Sequence, residues 1–230
     1  MQSYAPEDKP VTGWGEVLHT LAHGDAVCQT AHRADCPFPQ EMRYELPGLV
    51  IDNCAMAGRS SKTFREEGRL DDIAAHIRPG DLLVVSFGHN DANRAKAERY
   101  VPADAFGESL RPFWDAARSH GAVCIFASPV AMREFDEAGV CHPSFAAYRE
   151  AMRAFAAEVG APFIDLGAAT AAANTAFGAE RCKARYMWVG AKQDNAHQQN
   201  AGACRTAQAF VQQLLQDTTP ALDVLRANFR

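Results

Sequence analysis

The sequence lacks the features that mark several classes of protein. It has no apolar run of about 18 residues, the length that a membrane-spanning helix needs, and no internal repeat, low-complexity tract or Gly/Pro/Ser-rich linker. Basic residues are not in excess, because 23 Lys and Arg stand against 28 Asp and Glu and give a formal net charge of -5. That balance argues against nucleic acid or an anionic membrane as the main partner. The first residues, MQSYAPEDKPVTGWGEVL, lack the basic start and apolar stretch of a secretory signal.

Cysteine is present without a paired motif. The seven cysteines include no Cys-x-x-Cys, and their odd number favours a reducing compartment. Cys28, His32 and Cys36 lie in one stretch with His23 nearby, which suggests zinc. Their spacing matches no common zinc signature, and a local disulfide or two unrelated loop cysteines fit better. We therefore expect no metal at these residues.

The composition is that of an ordinary globular protein, with 47% hydrophobic and 22% charged residues. Short apolar runs alternate with helical periodicities, a pattern typical of βαβ units in an α/β fold. Near-continuous hydrophobicity in the runs predicts strands of a parallel sheet that is covered on both faces. The predicted strands are GLVID (48–52), DLLVVSF (81–87), AVCIFAS (122–128) and APFIDL (161–166).

Helical spacing of apolar residues predicts the helices that surround these strands. The four sets are Leu70, Ile73, Ala74 and Ile77; Phe106, Leu110, Phe113 and Ala117; Phe145, Tyr148, Met152 and Phe155; and Ala207, Phe210, Val211, Leu214 and Leu215. Pro112 is expected to kink the second of them. Another helix, GWGEVLHTLA (13–22), precedes the first predicted strand.

Polar clusters follow three of the predicted strands. They are NCAMAGRSS (53–61), GHND (88–91) and SPVAMREF (128–135). Because ligands bind outside the carboxyl ends of the strands in open parallel sheets, we expect these clusters to share one edge and form a site.

The stretch KQDNAHQQNAGA (192–203) places Asp194 and His197 three residues apart at a predicted loop-to-helix junction. An Asp in this position can bond one imidazole nitrogen, fix the tautomer and leave the other nitrogen free as a base. The same pattern also fits a helix N-cap followed by a surface His.

Gly58 and Asn90 are the other two chemical candidates. A glycine after a strand can offer its N–H to a ligand with no side chain in the way, although a plain turn glycine fits as well. A side-chain amide beyond a buried strand can donate to a developing oxyanion. Alternatively, Asn90 and Asp91 cap the segment that follows.

These motifs, in this order, resemble the SGNH (GDSL) hydrolase superfamily. Gly58 matches the oxyanion glycine of its second block, GHND its third block with an oxyanion-donating Asn90, and DNAH its fifth-block Asp-x-x-His. NCAMAGRSSKTFREEGRL, FGHND, ERYV, SPVAMREF and FIDL further resemble rhamnogalacturonan acetylesterases and their bacterial relatives, over nearly the whole chain. The resemblance implies a three-layer α/β/α fold with a flavodoxin-like parallel sheet, in a single domain over residues 1–230 with an inserted loop at 23–46.

One element of the family is missing. Its nucleophile is a Ser in a Gly-Asp-Ser motif at the end of the first strand, and this sequence contains no Gly-Asp-Ser. The resemblance implies a strand order of 2-1-3-4-5 without its first strand, which would leave GLVID with no direct neighbour. We expect Met1 to be an internal methionine, with an upstream strand that ends in Gly-Asp-Ser. Ser3, Ser60 and Ser61 lie at other positions of the family pattern and are not assigned the nucleophile's role.

The resemblance implies a serine esterase that removes acetyl groups from a carbohydrate, pectic rhamnogalacturonan or a related oligosaccharide. His197 would act as the base, Asp194 would orient it, and Gly58 and Asn90 would bind the oxyanion, with no metal or organic cofactor needed. Without the upstream serine, this chain is expected to have little activity. Two alternatives stay open: a general GDSL esterase or lipase acting on small acyl esters, and a non-catalytic carbohydrate-binding pseudoenzyme.

Four further residues are candidates for sugar contacts. Tyr186 and Trp188 can stack on a sugar ring or serve as packing residues. Arg59 and Arg133 can meet uronate carboxylates or form ordinary surface ion pairs.

Overall fold

The computed structural model describes residues 1–229, in which eight strands and nine α-helices form. The strands are β1 (Gln29–Ala31), β2 (Met42–Leu46), β3 (Leu49–Asn53), β4 (Leu82–Val85), β5 (Val123–Ala127), β6 (Phe163–Ile164), β7 (Tyr186–Val189) and β8 (Lys192–Gln198). The helices are α1 (Trp14–Val17), α2 (Ser61–Glu66), α3 (Arg69–His76), α4 (Ala103–Ser119), α5 (Ala146–Val159), α6 (Leu166–Phe177), α7 (Ala179–Cys182), α8 (Asn200–Gln216) and α9 (Asp223–Asn228). None of the helices in this part of the chain has the length and apolar character to cross a membrane.

The chain divides into two compact units. The first comprises Met1–Ala57, Val130–Ser144 and the residues from Ala168 onward, and the second comprises Gly58–Pro129 and Phe145–Gly167.

The second unit contains the predicted parallel sheet. Its strands lie in the order β4-β5-β6 and pair in parallel, with Val84 opposite Ile125 and Phe126 opposite Phe163. This confirms the α/β class, and the order agrees with the last three strands that the resemblance implies. The third strand is shorter than predicted, because only Phe163 and Ile164 of the APFIDL run join the ladder.

Two long helices pack against this sheet as their apolar spacing predicts. Phe106, Leu110, Phe113 and Ala117 of α4 are all buried and belong to one hydrophobic cluster with residues of β5 and α5. Pro112 lies inside α4 without ending it. Phe145 precedes α5 as its N-cap, with a positive φ of 56°, so the third predicted set begins one residue too early.

The first unit contains an antiparallel sheet that the sequence did not predict. The assignment of GLVID to the parallel sheet is wrong, because β3 pairs antiparallel with β2, with Tyr44 opposite Ile51 and Leu46 opposite Leu49. A two-residue loop, Pro47 and Gly48, reverses the chain, and Gly48 supplies the positive φ of 81° that such a tight loop needs. The strand therefore has a direct neighbour.

The segment 23–46, expected as a loop, contributes β1 and β2 to this sheet. That it is an insertion relative to the family stays a prediction.

The helices of the first unit pack through aromatic rings. Trp14 of α1 and Phe210 of α8 have their ring centroids 5.2 Å apart. The predicted face of α8 is buried except for Leu215, which is 42% exposed. The first predicted helix is α-helical over Trp14–Val17 and continues as a 3-10 turn over Leu18–Leu21.

Candidate active site

The Asp-x-x-His motif lies on a β-bulge of the first unit. The prediction of a loop here is wrong, because Asp194 and His197 belong to β8, which pairs antiparallel with β7. Met187 lies opposite Asp194, but the next residue back, Tyr186, lies opposite Gln198. The three residues 195–197 therefore have no partner in the ladder. Such a bulge turns side chains out of their strand register, a device that is frequent beside active sites.

The bulge brings the Asp194 carboxylate and the His197 imidazole into direct contact. Oδ2 lies 2.8 Å from Nδ1 of His197, and Oδ1 accepts hydrogen bonds from the N–H of Ala196 at 2.8 Å and of His197 at 2.9 Å. A carboxylate accepts only, so Nδ1 carries a proton and, in the neutral imidazole, Nε2 holds the lone pair. The His197 side chain is 54% exposed, so this nitrogen can reach a substrate or nucleophile.

The charge state of Asp194 suits this role. Burial by itself raises the pKa of its carboxyl, but the hydrogen bonds from the N–H groups of His197 and Ala196 and from the imidazole outweigh burial and leave the pKa below its ordinary value. The ammonium of Lys192 lies 3.6 Å from Oδ2. The carboxylate is thus ionised at neutral pH and able to stabilise a protonated imidazole.

Asn195, at the centre of the bulge, holds it in place. Its Oδ1 accepts a hydrogen bond from the indole N–H of Trp188 at 2.8 Å and lies 3.4 Å from Nη1 of Arg133, and its carbonyl accepts the Arg133 N–H at 2.8 Å. The Arg133 guanidinium also donates to the carbonyl of Ala179 and lies over the Trp188 ring. With its side chain only 11% exposed, Arg133 is a structural residue of the bulge, and its pair with Glu180 at 3.9 Å accords with the ion-pair alternative.

Of the two predicted stacking residues, Tyr186 is fully buried. Its hydroxyl donates to the carbonyl of Ala131 at 2.7 Å and accepts a bond from Asn174, so its packing interpretation is the right one. Trp188 is partly buried, and its ring already contacts the cations of Arg133 and Lys183.

In the second unit, Gly58 and Asn90 lie close together with open donors. Gly58 has a positive φ of 75°, which favours glycine there. Nδ2 of Asn90 donates to the carbonyl of Arg59 at 3.1 Å, and Nη1 of Arg99 donates to Oδ1 at 3.4 Å. These two contacts fix which end of the amide is the donor. Among residues 1–229, the Gly58 N–H and the second N–H of Asn90 bond to no acceptor.

Asp91 connects the loops that carry these two residues. Its Oδ1 accepts the N–H of Ser61 at 2.9 Å and the hydroxyl of Ser61 at 2.6 Å, and its Oδ2 accepts the Gly88 N–H at 3.0 Å. Asp91 therefore shapes the loop, and it does not cap the next segment. Gly88 also meets Pro129: a Cβ on Gly88, which has a φ of 130°, would stand 2.4 Å from Cγ of Pro129.

All three serines near these motifs are buried, so none is placed to act as a nucleophile. Ser60 is the N-cap of α2 and forms a capping box with Thr63. Ser61 is buried against Asp91, and Ser3 is buried with its hydroxyl 2.9 Å from the hydroxyl of Tyr44.

The first residues of the chain lie beside the loop that leads to Gly58. The Gln2 side-chain carbonyl accepts the N–H of Ala57 at 2.5 Å. The Asn53 amide donates to the carbonyl of Met1 at 2.9 Å and to the hydroxyl of Ser3 at 2.8 Å. Segment 1–3 is thus fixed to the end of β3.

The remaining candidates are explained by local contacts. Nε of Arg59 pairs with Glu67 at 2.7 Å, in accordance with its ion-pair alternative. Nδ1 of His32 bonds the carbonyl of Glu41, and Cys28 bonds the carbonyl of Gln29, so these two side chains are not turned toward a common ion. Nothing in the sequence pointed to Arg99 of the ERYV stretch, which contacts Asn90.

Comparisons with known proteins point to the same family that the sequence motifs resemble. Residues 13–202 match the GDSL-like lipase/acylhydrolase family. Rhamnogalacturonan acetylesterase RhgT of Bacillus subtilis is 32% identical over 96% of this chain and 88% of that protein, and the probable rhamnogalacturonan acetylesterase YesY of the same organism is 39% identical over 67% and 71%. The crystal structure of B. subtilis YxiM superposes with a TM-score of 0.73 at 25% identity, over 95% of this chain and 54% of that one.

Proposed function

The chain belongs to the GDSL-like lipase/acylhydrolase family and is by family a carboxylic ester hydrolase, and we propose that it serves to remove acetyl groups from pectic rhamnogalacturonan or a related oligosaccharide. The observation that carries the proposal is the 2.8 Å contact between Asp194 and His197, which leaves Nε2 of an exposed imidazole free as a base. The names of the two B. subtilis relatives support the choice of substrate.

In the proposed mechanism, a serine hydroxyl attacks the acetyl carbonyl and gives its proton to Nε2 of His197. Asp194 keeps the Nδ1 proton and stabilises the imidazolium. The open N–H groups of Gly58 and Asn90 stabilise the tetrahedral oxyanion, a contribution of about 10²–10³ in turnover for each donor. His197 then protonates the departing sugar oxygen, which leaves an acetyl-serine. His197 next takes a proton from water as the water oxygen bonds the acetyl carbon, and it returns that proton to the serine oxygen as acetate departs.

The printed sequence has no Gly-Asp-Ser to supply this serine, and Ser3, Ser60 and Ser61 are occupied elsewhere. Residues 1–230 alone are therefore expected to show little or no esterase activity. Because segment 1–3 lies beside the loop leading to Gly58, a family first block joined ahead of Met1 is expected to restore it.

The test compares two proteins: residues 1–230, and the same chain preceded by a strand that ends in Gly-Asp-Ser, called here the joined form. We expect hydrolysis of p-nitrophenyl acetate only by the second protein, and loss of that activity on His197→Ala. Robust hydrolysis by residues 1–230 that His197→Ala abolishes would contradict the expectation that these residues lack the nucleophile. No hydrolysis by the joined form, with folding intact, would contradict the esterase.

Substrate choice is tested on the joined form. Faster release of acetate from acetylated rhamnogalacturonan than from esters of longer acyl chains supports the carbohydrate substrate. The opposite preference would favour a general GDSL esterase.

A further inference from the structure

Arg99 lies beside both proposed oxyanion donors within the second unit. Its Nη1 is 3.4 Å from Oδ1 of Asn90 and 3.5 Å from the position that a Cβ on Gly58 would occupy. Its backbone N–H bonds the carbonyl of Lys96 at 2.9 Å, which anchors the residue in a turn. A cation is thus held beside the two donors that are proposed to bind the ester carbonyl.

The guanidinium of Arg99 retains donors for a ligand. The bond to Asn90 is the one hydrogen bond that it makes within residues 1–229, and its acidic neighbour Glu98 stays 3.6 Å from Nε, beyond hydrogen-bond distance. The Arg99 side chain is 32% exposed and that of Glu98 61% exposed. The arginine can therefore exchange this loose ion pair for a ligand anion.

The two arginines that the sequence indicated differ from Arg99 in this respect. Nε of Arg59 bonds Glu67 at 2.7 Å, and Arg133 is turned inward to the carbonyl of Ala179 and the Trp188 ring. Arg99 combines solvent access, spare donors and contact with Asn90.

We propose that Arg99 binds the carboxylate of a uronate residue in the substrate. A guanidinium presents two parallel N–H groups that match the two oxygens of a carboxylate. In an acetylated uronate, the ester and the carboxylate lie on one sugar ring, so Gly58 and Asn90 can bind the first while Arg99 binds the second. The inference rests on the proposed function for its ester, but the carboxylate contact needs no nucleophile and is measurable on residues 1–230.

The experiment is a titration of residues 1–230 with trigalacturonate, followed by heteronuclear NMR, beside a titration with the neutral trisaccharide of galactose. We expect binding of trigalacturonate that weakens as salt is raised, and weaker or no binding of the neutral sugar. Arg99→Gln is expected to lower the affinity about 10-fold or more, as for a charge-assisted hydrogen bond, and Arg99→Lys by less, because it keeps the charge without the fork. Arg111→Gln, an exposed arginine of the same unit paired with Glu108 and Glu158, is the matched control and should leave affinity unchanged.

Glu98→Gln provides a test of opposite sign. Removing the acidic neighbour of Arg99 is expected to tighten trigalacturonate binding by about twofold, the size of an exposed ion pair. Unchanged affinity in Arg99→Gln, or no binding of trigalacturonate by the folded chain, would overturn the proposal. Failure of the joined form to hydrolyse acetyl esters would instead overturn the esterase and leave this binding result standing.

Discussion

Two aspartates of the molecule make the same set of hydrogen bonds in different surroundings. Asp91 accepts the N–H groups of Ser61 and Gly88 and the hydroxyl of Ser61. Asp194 accepts the N–H groups of Ala196 and His197 and the imidazole of His197. Asp91 has no exposed surface, whereas the side chain of Asp194 is 20% exposed beside an imidazole that faces solvent.

The difference in burial reverses the direction of the pKa shift. Burial raises the pKa of Asp91, and the bonds from Ser61 and Gly88 offset only part of that effect. For Asp194 the bonds outweigh burial, and the pKa is lowered. With similar hydrogen bonds, Asp91 is therefore a structural link between two loops from which water is excluded. Asp194 is an oriented, ionised partner for an imidazole to which water has access.

The largest expected effect is on catalysis. In the joined form, Asp194→Asn is expected to lower kcat about 10³–10⁴-fold, because an amide no longer selects the imidazole tautomer or stabilises its charge. The measurement is steady-state hydrolysis of p-nitrophenyl acetate. The thermal midpoint should change little, since Oδ1 can still accept the two N–H bonds. Retention of wild-type turnover would remove Asp194 from the proposed mechanism.

The largest expected effect on stability is at the other aspartate. Asp91→Ala leaves three buried donors of Ser61 and Gly88 without an acceptor and should lower the free energy of unfolding by about 3 kcal/mol. Urea unfolding of residues 1–230 measures this. Asp194→Ala is the matched control and is expected to cost less than about 1 kcal/mol. Equal costs at the two sites would show that burial does not distinguish them.

Smaller effects on stability are expected at the two serines of the Asp91 network, Ser61 and Ser109. Ser61→Ala removes the hydroxyl bond to Asp91 but keeps the backbone one, and is expected to cost about 1–2 kcal/mol in urea unfolding. Ser109→Ala removes a hydroxyl that contacts Ser61 at 2.8 Å and is expected to cost less than about 1 kcal/mol. A larger cost for Ser109→Ala would place the centre of the network on that serine.

The parts of the fold that depend on local pattern were predictable. Leu82–Val85 and Val123–Ala127 are strands because their apolar runs suit a parallel sheet, and α4 follows from its helical spacing. An apolar run does not name its partner, however, and GLVID pairs with β2. The alternation of Met42, Tyr44 and Leu46 was the available signal for β2.

The site depends on register, which a single sequence does not give. The bulge at 195–197 exists because Tyr186 and Met187 pair with residues four apart on β8. The Asp-x-x-His spacing pointed to the pair but not to a strand. In the same way, nothing in the sequence says which arginine faces Asn90. The proximity of Arg99 follows from the turn that contains Lys96.

The two aspartates should also respond to pH with opposite sign. The pKa of Asp91 is higher in the folded chain than its ordinary value of about 3.9. Its contribution to stability is therefore full below that value and is lost as pH rises through the folded pKa. The pKa of Asp194 is lower when folded, so its contribution is full above about pH 3.9 and is lost as pH falls through the folded pKa.

Urea unfolding between pH 3 and pH 6 tests this on wild type, Asp91→Asn and Asp194→Asn. The stability of wild type relative to Asp91→Asn is expected to decrease as pH rises, because the unfolded chain releases the Asp91 proton more readily than the folded one. Relative to Asp194→Asn it is expected to increase over the same range. The substitutions change hydrogen bonds as well as charge, and that change is independent of pH, so only the slopes are compared. Slopes of the same sign would show that burial does not dominate at Asp91 and would contradict the contrast drawn between the two aspartates.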